Sequence, residues 1–193
     1  MTVEIRAYEP MDERSWLRCR ALSFLETCYY DDVWAKRPAT PLVQLVAVYG
    51  STAVGILDVE VDQELATIDT VATHPDYQGH HIASRLLARA RADLPDRITT
   101  LDAWTREDVP ALRWYRTHGF EESEHYLHVY KGWQEPDEGW QSPPRLTTPI
   151  TAFCHASIED EADVRGRFSR VYICRRLSQP ITAGHARHHT SAP

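Results

Sequence analysis

Long apolar runs are missing from this 193-residue sequence, and a membrane-spanning helix, which needs about 18 or more consecutive apolar residues, is excluded with them. The N-terminal "MTVEIRAYEP" lacks the basic-then-apolar order of a signal peptide. Cysteine is sparse: Cys19, Cys28, Cys154 and Cys174 show neither CxxC spacing nor the density of a secreted disulfide scaffold, so reduced thiols in a cytoplasmic protein are expected. A surplus of positive charge is also missing. Lys and Arg number 21 against 28 Asp and Glu, a net charge of −7, which gives the whole chain no broad attraction for nucleic acid or an anionic membrane. Internal repeats are absent, and glycine, at eight residues, is scarce where a phosphate-binding turn would favour it.

What is present is ordinary for one globular domain, with 42% hydrophobic and 25% charged residues. "TVEIRAY" alternates as a half-buried strand does, and Pro10 opens a segment with Leu17, Ala21, Phe24, Leu25 and Cys28 at helical spacing. "LVQLVAVY", "AVGILDVEV" and "LATIDTVAT" are β-branched runs separated by short turns, and predict an antiparallel meander. Ile82, Ala83, Leu86, Leu87, Ala90 and Leu94 share a helical face that Pro95 closes. "RITTLDAW" reads as a strand. Thr105 to Asp108 has capping-box spacing before "PALRWYRTHGF", Gly119 supplies a left-handed helix stop, and "ESEHYLHVY" returns to strand. The order is α+β, a mixed α/β fold.

Residues 132–151, "GWQEPDEGWQSPPRLTTPIT", are rich in Pro, Gly and Trp and predict a long irregular loop. Residues 155–177 predict a C-terminal helix and strand, with Ser157 and Asp160 at capping-box spacing and "RVYICRRL" as the strand. One domain over residues 1–178 is therefore expected, followed by a disordered tail over 179–193. The groups His74, His80, His81 and His185, His188, His189 lack the Cys or acidic partners of a structural zinc site, so no metal is expected.

A strand ending "VATHP", a turn "DYQGHHIAS" and a helix starting near Ile82 place free amides at a helix N-terminus, which is an anion site. Here the chain resembles the Gcn5-related N-acetyltransferase (GNAT) superfamily, over roughly residues 3 to 131 with the last strand included. Gln78, His81 and Ala83 occupy the three positions of that family's acyl-CoA signature, where His81 replaces a glycine. Ala111, Trp114, Tyr115, Gly119 and Phe120 match its later motif in spacing and type, and "SWLRCRALSFLE" resembles its first helix.

The resemblance implies a mostly antiparallel sheet of about seven strands, flanked by helices and splayed between strands 4 and 5. It implies that the turn amides of Gly79, His80, His81, Ile82, Ala83 and Ser84, after Gln78, hold the pyrophosphate of coenzyme A. The pantetheine arm would pair with Val71, Ala72 and Thr73 as an added strand does. Tyr115 would give a proton to the departing thiolate, its phenol being neutral at pH 7 with an ordinary pKa near 10. Asp69 is the candidate base, with Glu60 and Asp102 as competitors. Glu26, Tyr29, Tyr30, Asp31 and Asp32 follow the first helix, where the family builds its acceptor pocket, and an acidic, aromatic lip suits a cationic amine. Trp104, and Trp133 and Trp140 on the loop, are the further candidates for the acceptor side.

The expected activity is transfer of an acetyl or other acyl group from acyl-CoA to a primary amine on a small molecule or peptide, by a monomer or homodimer without membrane association. His81 leaves two alternatives. If its ring points away, coenzyme A still binds. If the ring fills the cradle, the donor is one lacking that pyrophosphate, such as an acyl- or aminoacyl-tRNA, with Arg85, Arg89, Arg91 and Arg97 as a local basic face. A non-enzymatic reading is a catalytically degenerate ligand-binding module.

Overall fold

Residues 2–38 and 41–181 are described by the computed structural model. In chain order they form β1 (Glu4–Ala7), α1 (Glu13–Phe24), β2 (Val43–Tyr49), β3 (Thr52–Asp62), β4 (Leu65–Thr73) and α2 (Ile82–Asp93). Then come β5 (Thr100–Thr105), α3 (Val109–Thr117), β6 (Glu121–Lys131), β7 (Ala152–Ala156), α4 (Glu161–Arg167) and β8 (Arg170–Pro180). The strands make one sheet in the order β1-β2-β3-β4-β5-β8-β6-β7. β2, β3 and β4 are the antiparallel meander that their turns dictate. Among these strands only β4 and β5 run parallel, and α2 between them is the crossover that a parallel pair requires.

Two helical layers bury the sheet. Ile82, Leu86, Leu87 and Ala90 of α2 pack with Val54, Leu57, Leu101 and Ala103 on one face. On the opposite face Trp16 and Cys19 of α1 pack with Val46, Ile56 and Ala72. α2 sits close because β3 offers Gly55 beneath it: a Cβ there would lie 2.4 Å from Ile82 Cγ2. α4 is placed by Val164, which packs with Leu127, Val129 and Val171 of β6 and β8.

The sheet has eight strands rather than about seven. The addition is β7, an edge strand that ends the irregular 132–151 connection and pairs with β6 from Leu127↔Ala156 to Lys131↔Ala152. Its five residues, "AFCHA", alternate too briefly to stand out beside a Pro-rich loop. The capping box expected from Thr105 to Asp108 does not form, because Thr105 ends β5 and the Asp108 carboxylate accepts from the Cys28 amide at 2.9 Å instead. Ser157 does cap, accepting from the Glu159 amide at 3.4 Å, but it starts a 3-10 turn that leads into α4. β8 runs to Pro180, and the Ile181 amide donates to Thr99 O at 2.8 Å. The rest of the expected tail, residues 182–193 with His185, His188 and His189, lies outside the described residues.

Candidate active site

β4 and β5 pair only from Leu65↔Thr100 to Ile68↔Ala103. Beyond that point they part, and β4 continues over Asp69–Thr73 with its backbone edge open. The opening is one side of a cavity of about 580 Å³. Asp69 stands at a bulge: Ile68 is opposite Val59 and Thr70 opposite Asp58, which leaves Asp69 as the extra residue. The cavity therefore receives a side chain and an irregular backbone at the point where the strands diverge.

The turn into α2 forms the far end. Gly79 has φ +78° with nothing within 4 Å of where a Cβ would be. His81 takes φ +57°, ψ +23°, a left-handed conformation that glycine would adopt at lower cost, and it caps α2. His81 thus follows a backbone path open to glycine, and its side chain is carried on an exposed residue. The first helical amide to find an acceptor is that of Arg85, which donates to His81 O at 3.0 Å. Ile82, Ala83 and Ser84 therefore have no intrahelical acceptor, and their amides make a site for an anion.

Most of the residues singled out in the sequence converge here. Asp69, Val71, Ala72 and Thr73 line the cavity from β4, and Gln78, Gly79, His81, Ile82, Ala83 and Ser84 line it from the turn. Tyr115 enters from α3, and Glu26, Tyr29, Asp32 and Trp104 complete the other wall. His80, Tyr30 and Asp31 are outside the lining, as are Glu60 and Asp102. Asp102 is buried and engaged, accepting from Thr67 Oγ1 at 2.6 Å and Arg176 Nε at 2.5 Å. The loop tryptophans are not brought to the cavity. Trp140 packs on Phe168 beside α4 at 6.4 Å, and Trp133 is 74% exposed.

Burial pushes the Tyr115 hydroxyl well above the usual tyrosine range, with the neighbouring Tyr29 adding to the shift, so it stays protonated. Asp69 is raised as well, first by loss of surrounding water and then by Glu60 and Asp32, against the Thr70 hydroxyl, which donates to it at 3.0 Å, and Arg20. Such a carboxylate is a better proton acceptor than an exposed one.

Arg20 and Trp34 were not marked by the sequence reading, yet both line the cavity. Arg20 is buried on α1, donates to Asp32 Oδ2 at 2.8 Å, and lies 3.5 Å over the Trp34 ring. Its signal was a cation at i+4 from Trp16 and i−4 from Phe24, on the face that packs against the sheet. Two further arginines fasten the segment after α1. Arg106 donates to Cys28 O at 2.5 Å and stacks 4.0 Å over Tyr29; Arg170 holds Asp31 at 2.5 and 2.7 Å. This wall of the cavity is thus tied to α1, to the residue after β5 and to β8. Its charge is one-sided, with Glu26, Asp32, Asp69 and Asp108 against Arg20.

The comparisons agree with this geometry. Residues 42–122 match the family model described as the acetyltransferase (GNAT) domain. No curated protein matches the sequence significantly. Among solved structures, the ribosomal-protein-S18-alanine N-acetyltransferase from Escherichia coli is similar over 97% of this chain and 98% of its own, at 16% identity and a TM-score of 0.61. Arabidopsis thaliana NAA60, in complex with a bisubstrate analogue, is similar over 94% of this chain and 99% of its own, at 13% identity and a TM-score of 0.59. The PaiA N-acetyltransferase from Thermoplasma acidophilum, in complex with coenzyme A, is similar over 64% and 92%, at 16% identity and a TM-score of 0.55. The parted β4 and β5 and the amide-lined turn lie within the segment 42–122 that matches the acetyltransferase (GNAT) domain, and the chain shares its fold with these N-acetyltransferases.

Proposed function

We propose that the protein transfers an acetyl group from acetyl-CoA to a primary amine. The observation that carries this reading is the cavity between β4 and β5, which has an open strand edge along one side and unpaired helix amides at one end. The residues present fit such a donor. Over Asp69–Thr73 the edge of β4 that β5 leaves open, where Gln78 Nε2 donates to Thr73 O at 3.4 Å, suits an extended amide-bearing arm, and Gly79 and the first turn of α2 offer N–H groups to a pyrophosphate without an intervening side chain at Gly79. That PaiA is solved with coenzyme A in the same fold supports the assignment.

A bound acetyl-CoA supplies a thioester carbonyl. The amine nitrogen bonds to that carbon and the C–S bond breaks, so one proton must leave nitrogen and one must reach sulfur. Asp69, whose carboxyl is raised above its ordinary range by burial, takes the first, directly or through a water. Tyr115 gives the second, since burial keeps its hydroxyl protonated. The four wall carboxylates draw the ammonium form of the acceptor into the cavity, and that form sheds one further proton to solvent before the neutral amine attacks. The tRNA-donor reading has less support: Arg85 is bonded to Val3 O, Arg89 to Asp93, Arg91 to His118 O and Arg97 to Gln63 O, so the supposed basic face is engaged within the fold.

Calorimetric titration with acetyl-CoA, coenzyme A and a charged tRNA in parallel tests the donor. Saturable binding of the two coenzyme forms, with free thiol released on adding amines, is the expected result. Binding of the tRNA alone would overturn the assignment.

A further inference from the structure

On the face of the sheet that carries α1, that helix packs over β2, β3 and β4. Across β5, β8, β6 and β7 the same face holds a row of rings whose places follow from register. Trp104 is opposite Arg176, Cys174 is opposite Tyr126, His128 is opposite His155 and Tyr130 is opposite Phe153, so these side chains share one side. The rings touch in sequence: Trp104 and Tyr126 at 5.2 Å, Tyr126 and His155 at 4.6 Å, His155 and Phe153 at 5.1 Å. His128 lies stacked against His155 at 5.1 Å and 9°. Trp104 is 37% exposed and Phe153 49%, large values for rings in mutual contact.

Trp104 belongs both to this row and to the cavity lining, so the row continues the site outward from the reacting end. The neighbouring cations are occupied. Arg176 binds Asp102 at 2.5 Å and Glu124 at 2.6 Å, Arg170 binds Asp31, and Arg106 donates to His128 and Tyr130. Burial and Arg106 hold His128 neutral. The row is therefore an uncharged aromatic surface beside an acidic cavity. That combination suits a molecule with an ammonium at one end and an uncharged planar group at the other.

We propose that Trp104 and Tyr126, backed by His155, form an acceptor subsite for an aromatic ring, and that the acceptor is an arylalkylamine. This rests on the amine-acetylation reading and extends it to a substrate class. The ammonium enters beside Asp69, and a short alkyl chain leads the ring onto Trp104.

The test compares 2-phenylethylamine with 2-cyclohexylethylamine, which have the same carbon count and amine but differ in the planar π-face. Aromatic stacking is worth about 0.5–1.5 kcal/mol beyond area, so the native protein should favour the aryl amine about fivefold in kcat/KM, through KM. Trp104→Leu should abolish the preference, Trp104→Phe should keep much of it, and His155→Ala should reduce it, each with thermal unfolding measured alongside. Equal use of both amines by the native protein, or equal loss of both on Trp104→Leu, overturns the subsite while leaving amine acetylation standing. Calorimetry with each amine alone separates the two readings. Tighter binding of 2-phenylethylamine without any acetyl transfer sustains the subsite and overturns the transfer reading, and binding of neither amine overturns the subsite.

Discussion

His128 offers a pH-dependent contribution to stability that can be isolated with one substitution. Its Nδ1 accepts from Arg106 Nε at 3.2 Å, so that nitrogen carries no proton, and its Nε2 is 3.2 Å from the Tyr126 hydroxyl. Burial, then Arg106 and His155, lower its pKa from 6.5 to about 4. A histidine depressed in the folded state binds its proton more readily in the unfolded chain. The stability it contributes is therefore whole above pH 6.5 and is lost as pH falls toward 4. Each pKa unit is worth about 1.4 kcal/mol, which gives a full loss of about 3 kcal/mol and about 2 kcal/mol by pH 5. Asp58 works in the other direction: fully buried and raised to about 6, it favours the fold below its ordinary range and loses that contribution as pH climbs to 6. Comparing native protein with His128→Asn cancels this, because Asp58 is common to both, while an Asn oxygen can still accept from Arg106. Urea unfolding from pH 8 to pH 5 at fixed ionic strength should show the native protein losing about 2 kcal/mol relative to the variant. A difference that stays flat to within about 0.5 kcal/mol would mean that His128 titrates normally and that Arg106 is not held as described.

Tyr115→Phe should lower turnover by about 10²–10⁴-fold with acetyl-CoA affinity nearly unchanged, as steady-state kinetics and calorimetry would show; full turnover where chemistry is limiting would make Tyr115 a core residue only. His81→Gly should leave acetyl-CoA affinity within about threefold, because His81 already follows a left-handed path at φ +57° and the amides are in place; a tenfold change by calorimetry would put the imidazole in the donor's space or in contact with it. Gly55→Ala should cost about 1–3 kcal/mol in urea unfolding, since the added carbon would meet Ile82 Cγ2 at 2.4 Å. An undiminished midpoint would mean that α2 lifts from β3 without loss.

The side of the cavity formed by β4, the turn and α2 was legible because it is local. The strand 65–73, the turn 78–81 and the helix from Ile82 are consecutive, so alternation, turn residues and helical period place them with no knowledge of distant partners. Gly119 was likewise readable as a helix stop, and it has φ +83°. The acceptor side was only half legible. Glu26, Tyr29 and Asp32 were marked, but Tyr30 and Asp31 are turned from the cavity toward Arg170, while Arg20 and Trp34 were passed over. Their positions depend on Arg20 of α1, Arg106 just after β5 and Arg170 of β8, contacts that span up to 142 residues of chain and leave no periodic trace. Of the loop tryptophans, candidates for the acceptor side by sequence, Trp140 packs beside α4 and Trp133 is exposed.

By itself the sequence determined the run of strands and helices, the meander and the turn that leads into α2, since each follows from short-range sterics and the period of apolar side chains. The tertiary structure alone decided that β4 and β5 part after Ile68 and Ala103, that a bulge singles out Asp69, that β7 joins the edge, and that Trp104 meets Tyr126 and His155 in one row. These are properties of which strands are neighbours and in what register. Register is set by packing across the whole sheet, and no single segment of the chain contains it.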